Sequence, residues 1–200
     1  MQKKTIPSSE YLRDPFQVAR DVLLGATLYS FVGGKLTGGK IVELEIYLGC
    51  TDRACHAYPN KKTPRNAVMF GPGGHAYVYF VYGLHNMFNV VTNAPGQPNA
   101  ILIRALEPVV GIDTMQARRG MADVTGLCNG PAKLTRALGI TTAMNGADLA
   151  TINEIWIEPR KGPAPKVAAG RRIGIDYAGP DAAHPWRFVV AGSKFVSRPV

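Results

Sequence analysis

The stretch Lys40-Ile41-Val42-Glu43-Leu44-Glu45-Ile46-Tyr47-Leu48 alternates apolar and polar side chains. Side chains of an extended chain point to opposite faces in turn. Val42, Leu44, Ile46 and Leu48 therefore share one face, and Glu43, Glu45 and Tyr47 share the other. This pattern suits a half-buried strand of an antiparallel sheet, its apolar side set against the core.

Upstream, Thr27 to Val32 is a second β-rich run, ending in the turn-rich segment Gly33-Gly34-Lys35-Leu36-Thr37-Gly38-Gly39. Before it, Asp14-Pro15-Phe16-Gln17 combines a capping Asp, a Pro at the first helical position and a Gln three residues after the cap. A helix is predicted from there to about Leu24, with Gly25 as its stop. Downstream, residues 49–74 lack periodicity and contain Pro59, Pro64 and Pro72, so a long ordered loop is predicted. Loops of that length are usually functional or disordered.

Ala76 to Val81 and Met87 to Thr92 read as a hairpin around Tyr82-Gly83-Leu84-His85-Asn86, with Tyr82 near the tip. A strand follows at Ala100 to Leu106. Gly111 to Arg119 reads as a helix, and Asn129-Gly130-Pro131 opens another whose Leu134, Ala137 and Leu138 lie on one side. Ile155 to Glu158, Arg172 to Asp176 and Phe188 to Ala191 complete the predicted strands, and the 22 Gly and 15 Pro are spread along the chain without an internal repeat. The predicted fold is α+β: one compact domain over residues 1–200, with a curved, mainly antiparallel sheet, helices packed on it and a protruding β-hairpin.

Lys and Arg outnumber Asp and Glu by 23 to 14, a formal charge of +9, which favours an anionic partner and nucleic acid first. Neither an apolar run of ~18 residues nor a basic amphipathic helix is present to suit a membrane. Met1-Gln2-Lys3-Lys4 has no apolar stretch behind it, so no export signal is expected. Cys50, Cys55 and Cys128 are odd in number and lack C-x-x-C spacing, which points to reduced intracellular thiols. Together with His56 they form a candidate set for one ion, but the spacing argues against it, and neither metal nor cofactor is expected.

Glu45 is the leading candidate for chemistry, on the polar side of its strand just before the long loop. Lining a cleft and simple solvation of a strand carboxylate are both open to it. Arg104 interrupts the apolar run Ile101 to Leu106; a permanent charge there needs a carboxylate such as Glu45, a phosphate, or an edge position open to water. Tyr47, Tyr58, Tyr77, Tyr79 and Tyr82 are a concentration of aromatic hydroxyls, suited to stacking on nucleobases or to core packing. Lys61, Lys62 and Arg65 supply charge for phosphates, while His56 and His75 are open to either reading.

Other chemistries lack their signatures. Gly71-Pro72-Gly73-Gly74 is not followed by Gly-Lys-Ser/Thr, which removes the nucleoside-triphosphatase reading. No Gly-x-Ser-x-Gly elbow presents a serine, and the His-x-Glu and Pro-Cys-x-x-Cys pattern of zinc deaminases is missing.

Several blocks then occur in a recognisable order: Glu45-Ile46-Tyr47-Leu48-Gly49, Thr63-Pro64-Arg65-Asn66, Met69-Phe70, Tyr77-Val78-Tyr79-Phe80-Val81-Tyr82-Gly83, Arg104-Ala105-Leu106-Glu107-Pro108 and Asn129-Gly130-Pro131-Ala132-Lys133-Leu134. With Trp186-Arg187-Phe188, they make the chain resemble the alkyladenine (3-methyladenine) DNA glycosylase family from about Asp14 to the C-terminus. The resemblance implies that Glu45 is the general base activating water, held by Arg104 and the backbone carbonyl of Ile173. It implies that Tyr47, Tyr79 and His56 clasp a flipped base, that Tyr77 supports His56, that Asn89 crowds the exocyclic amine of guanine, and that Tyr82 fills the gap left in the DNA. Ile46 stands where the family commonly has Ala, and residues 160–171 match poorly.

The activity so implied is hydrolysis of alkylated or deaminated purines from double-stranded DNA, without strand cleavage. The implied protein is a monomer, intracellular and DNA-associated, in cytoplasm and nucleoid or in a nucleus. A non-catalytic lesion-binding module and an enzyme acting on RNA or nucleotides are the alternatives. Extruding a base costs a few kcal/mol, which two stacking faces at ~1–3 kcal/mol each can offset.

Overall fold

The computed structural model describes residues 4–200. Met1 to Lys3, on which the expectation about export partly rests, lie outside the described residues. The architecture is α+β. Its sheet has eight strands, with β1 (Thr27–Val32), β2 (Lys35–Tyr47), β3 (Ala76–Val81), β4 (His85–Thr92), β5 (Asn99–Val110) and β6 (Ile155–Glu158) in the order β3-β4-β5-β2-β1-β6. Beyond β1, the same side of β2 pairs with β8 (Arg187–Val190), which pairs in turn with β7 (Val167–Gly170). The pairings between these strands are all antiparallel.

The two long central strands, β2 and β5, are not in simple register. Ile41 faces Leu106, Glu43 faces Ala105 and Leu44 faces Ile103, so Val42 on one strand and Arg104 on the other have no opposite number in this ladder. Such bulges bend a strand and re-aim the side chain that stands out. They also correct the simple alternation. Ile41, Leu44 and Ile46 enter the main core with Phe88, Val90, Ile101, Ile103 and Phe188, whereas Val42 is buried outside that cluster and Leu48 only packs at its margin. Nor is the side of Glu43 and Glu45 solvated, because both carboxylates are fully buried.

Helices cover the opposite side of the sheet. Asp14 accepts hydrogen bonds from the N–H groups of Phe16 and Gln17, and Pro15 opens the predicted helix, which begins as a short α-helix at Pro15–Gln17 and widens into a π-helix at Val18–Leu23. A short helix at Ser8–Tyr11 precedes it and has no strong sequence signal. Ile112–Arg119 and Pro131–Leu138 are the other α-helices, and Leu134, Ala137 and Leu138 enter the core as their spacing predicts.

Two strand expectations need correction. The turn before β2 is only Gly33-Gly34, both at positive φ, which suits a two-residue hairpin; Lys35 to Gly39 already belong to the strand. Gly38 is needed there for packing, since a Cβ would lie 2.6 Å from the Tyr29 ring. Residues 172–175 are irregular rather than a strand, because the Ile173 N–H is directed to a side chain, the Glu45 carboxylate, and Gly174 has φ of 77°. The strand of that region is β7, and a 3-10 segment follows at Asp176–Ala183.

The hairpin loop is also tighter than predicted, Tyr82-Gly83-Leu84, with β4 starting at His85. The long loop of residues 49–74 is ordered by Asn66, whose side-chain amide donates to the His56 and Lys61 carbonyls while its oxygen accepts from the Thr63 N–H.

Candidate active site

The site is built where β2, β5 and the 172–175 segment converge. Glu45 accepts three hydrogen bonds: from the Ile173 N–H at 2.7 Å on Oε1, and from the Tyr47 hydroxyl at 2.8 Å and Arg104 Nη1 at 3.2 Å on Oε2. Arg104 also gives its Nε–H to Glu43 at 3.0 Å. Because β5 lies between β4 and β2, and its bulge turns Arg104 toward these carboxylates, the guanidinium is buried rather than at a sheet edge. Glu43 is shared further with Arg187 at 3.2 Å and with the N–H and hydroxyl of Ser197.

Charge is tightly balanced in this cluster. Burial pushes the Glu45 carboxyl above the ordinary carboxylate range, although Arg104, Ile173 and Tyr47 all pull it down. Burial works to lower the pKa of Arg104, but Glu45 and Glu43 outweigh it and leave it raised. Tyr47 is pushed well up by burial and then by Glu45, so it remains a neutral hydroxyl and a donor.

Above this cluster lies a cavity of about 300 Å³ lined by Tyr47, His56, Tyr77, Tyr79, Asn89, Arg104 and Ile173, with Tyr82 and Tyr177 among its further lining residues. Glu45 sits one layer beneath the wall, in contact with three lining residues. A carboxylate has about four acceptor sites, so three bonds leave one free, on Oε1. The rings of His56 and Tyr79 meet edge to face with centroids 4.7 Å apart, and those of Tyr77 and Tyr79 lie 5.2 Å apart.

His56 Nδ1 lies 2.8 Å from the Tyr77 hydroxyl. His56 is exposed toward the cavity, yet the surrounding protein strips enough water, with Arg65 adding positive charge, to push it down to about 4. Tyr79 is pushed up to about 12 by burial. The Asn89 amide donates to the Tyr77 carbonyl at 3.1 Å, which fixes the side chain at the wall. Tyr82 stands 87% exposed at the hairpin tip with φ of 54°.

The matching family model is that of methylpurine-DNA glycosylase, and it spans residues 9–194. The chain belongs to this family. It is a DNA glycosylase of the DNA repair machinery. Three similar proteins carry the description "Putative 3-methyladenine DNA glycosylase". That of Methanocella arvoryzae is 46% identical over 195 residues, 96% of each chain. That of Clostridium acetobutylicum is 44% identical, covering 94% of each. That of Bacillus cereus is 45% identical, covering 96% of this chain and 98% of its own.

In this glycosylase the tyrosines divide. Tyr47, Tyr77, Tyr79 and Tyr82 line the cavity, whereas Tyr58 lies outside it. His75 is also elsewhere, bonded to the Pro72 carbonyl and bridged to Asp148. Lys61 and Lys62 are exposed, and the Arg65 guanidinium lies 4.9 Å over the Tyr79 ring, so it backs the aromatic wall. The resemblance brings Ile173 in through its carbonyl; the bond to Glu45 runs from its amide, a second part for the same residue. Cys55 and Cys128 belong to different buried clusters, their thiols pushed up to about 12 by burial.

Sequence reasoning missed the supports. Arg172 pairs with Asp52, both side chains wholly buried, and its guanidinium lies 4.8 Å from the Tyr47 ring and 4.9 Å from Trp186. It thereby fixes the wall at Tyr47 next to the residue that holds Glu45. Glu43 was visible as a second carboxylate on the side of Glu45, and that shared side was the signal for its part. Arg172 and Asp52, 120 residues apart, offered none.

Proposed function

We propose that this glycosylase flips a damaged purine of double-stranded DNA into the aromatic cavity and hydrolyses its N-glycosidic bond, leaving an abasic site. The observation that carries this reading is the buried Glu45, bonded to Tyr47, Arg104 and Ile173 directly beneath that cavity. Water held at the free acceptor site of Glu45 gives its proton to the carboxylate as its oxygen bonds to C1′. The C1′–N bond breaks, and its electron pair leaves with the purine.

Arg104 and the Ile173 amide hold Glu45 in place, and the negative charge also favours the cation-like sugar of the transition state. A positioned base contributes ~10²–10⁴-fold in rate. Tyr47, Tyr79 and His56 clasp the base, Tyr77 orients His56, Asn89 narrows the wall against the amine of guanine, and Tyr82 enters the stack. Lys61, Lys62 and Arg65 meet phosphates. His56, pushed down to about 4, is neutral near pH 7 and serves as a polar contact to the base rather than a cationic acid.

The substrate class that follows is purines with 3-methyladenine, hypoxanthine or ethenoadenine as bases. An alkylated purine already carries positive charge and leaves without a dedicated acid. The protein acts as a single-domain monomer inside the cell, on DNA. Among the described residues no helix is long and apolar enough to cross a membrane. Lys133, a potential amine nucleophile, bonds to Asn129 at 2.8 Å and lines a separate groove, which supports hydrolysis without strand cleavage. The test is release of free base from lesion-bearing duplexes. Tight binding with no release under single-turnover conditions supports the non-catalytic alternative instead.

A further inference from the structure

Tyr177 is the exposed aromatic of the cavity mouth that the residue roles above leave unused. It stands in the 3-10 segment Asp176–Ala183, is 73% exposed, and lines the cavity together with Tyr82, to which it is close enough to interact electrostatically. Its hydroxyl donates to the Ala54 carbonyl at 3.3 Å, so the loop that carries His56 holds the ring at the rim. A lone exposed ring needs no explanation. A ring anchored by its hydroxyl on a nucleotide-sized cavity, and largely exposed beside a second exposed tyrosine that lines the same cavity, is available to whatever enters.

We propose that Tyr177 is a second aromatic contact to DNA, packing against the deoxyribose of the extruded nucleotide in the cavity mouth. The chemistry of the mouth selects that occupant. The base passes inward between Tyr47, Tyr79 and His56, and the sugar, with its apolar C–H surface, is left level with the rim. Arg53 lies beside the same segment, its backbone N–H bonded to Asp181, and offers positive charge for the phosphate attached to that sugar. Tyr82 and Tyr177 thus divide the work: one fills the vacated stack, the other holds the nucleotide that left it.

This inference rests on the glycosylase reading and is separable from it. The probe is a duplex containing 1,N6-ethenoadenine, whose fluorescence reports unstacking, compared with an undamaged duplex of the same sequence. Tyr177→Ala is expected to weaken lesion binding and the flipped population by about tenfold, near the lower end of what a nucleobase stacked on an aromatic ring gains, since a sugar offers less surface than a base. Binding to undamaged duplex is expected to change less than about twofold, since no sugar then reaches the rim. Tyr177→Phe keeps the ring and is expected to recover most of the loss, and Phe31→Ala, an exposed aromatic on β1, serves as a control without effect.

Undiminished lesion binding by Tyr177→Ala overturns the inference. So does equal impairment of Phe and Ala, which would place the role in the hydroxyl anchor, or equal loss on undamaged DNA. If the wild-type protein releases no base, the functional reading falls and takes the inference with it; release with normal Tyr177→Ala binding sinks the inference alone.

Discussion

Glu45→Gln separates chemistry from folding, because the surroundings of Glu45 determine the sign of each effect. The amide oxygen can still accept from the Ile173 N–H, and the new NH2 can donate to the Tyr47 oxygen, but it opposes Arg104 Nη1. Arg104 keeps its bond to Glu43, so no buried charge is orphaned. One charge-assisted hydrogen bond worth about 1.5–3 kcal/mol is lost. Against that, the fold disfavours the charged form of Glu45, as its raised pKa shows, and a neutral amide removes that penalty. The two changes oppose each other, and stability in urea is expected to move by no more than about 1–2 kcal/mol.

The rate has no such compensation. Without a base, water is not deprotonated, and loss of ~10²–10⁴-fold corresponds to about 2.7–5.4 kcal/mol of transition-state stabilisation. Single-turnover release of hypoxanthine from a duplex, with lesion binding followed by fluorescence anisotropy, measures both halves. A variant that binds the lesion and releases base within about threefold of the wild-type rate would refute the role of Glu45.

Three further outcomes follow from the same geometry. Arg104→Met strands two buried carboxylates and is expected to cost about 3–5 kcal/mol in urea denaturation; a cost under about 1 kcal/mol would mean that Arg187 and Ser197 suffice. In the proposed role Glu45 acts ionised, and its pKa is raised, so kcat/KM should fall with decreasing pH along a limb centred above the ordinary Glu value of ~4.3. A limb centred at or below that value contradicts the desolvation argument, and His56 should add no limb above about 4. Tyr82→Gly removes a non-glycine residue from φ of 54°, so its melting temperature should hold or rise while lesion affinity falls; a fall in both would show that the ring supports the hairpin itself.

What the sequence showed was what local rules govern. Asp14 and Pro15 marked a helix start, Tyr82-Gly83 marked a hairpin, and alternation marked β2, because each signal is set by neighbours within a few residues. The π-turn at Val18–Leu23 and the bulges at Val42 and Arg104 were hidden, since they arise from how one element is fitted against another. Residues 172–176 look like a strand by composition, but their backbone serves Glu45 instead. At the site, an Arg within an apolar strand called for a carboxylate, a phosphate or an edge position, with Glu45 the candidate partner; the central place of β5 and the bond to Glu45 decide between them. That a second carboxylate, Glu43, shares it, and that Arg172 and Asp52 brace the wall, depends on contacts across the whole chain.

The paired irregularities on β2 and β5 constrain how this fold can vary. Between Ile41 and Leu44 each strand carries one unpaired residue, Val42 and Arg104, and from Leu44 onward the ladder is regular. Deleting Val42 alone would leave the remaining pairs opposite one another and restore strict alternation, but it would straighten the strand where Glu43 and Glu45 are aimed. The irregularities therefore serve the charge cluster rather than the core, and length at position 42 is held by where the carboxylates must point, not by how the sheet is packed.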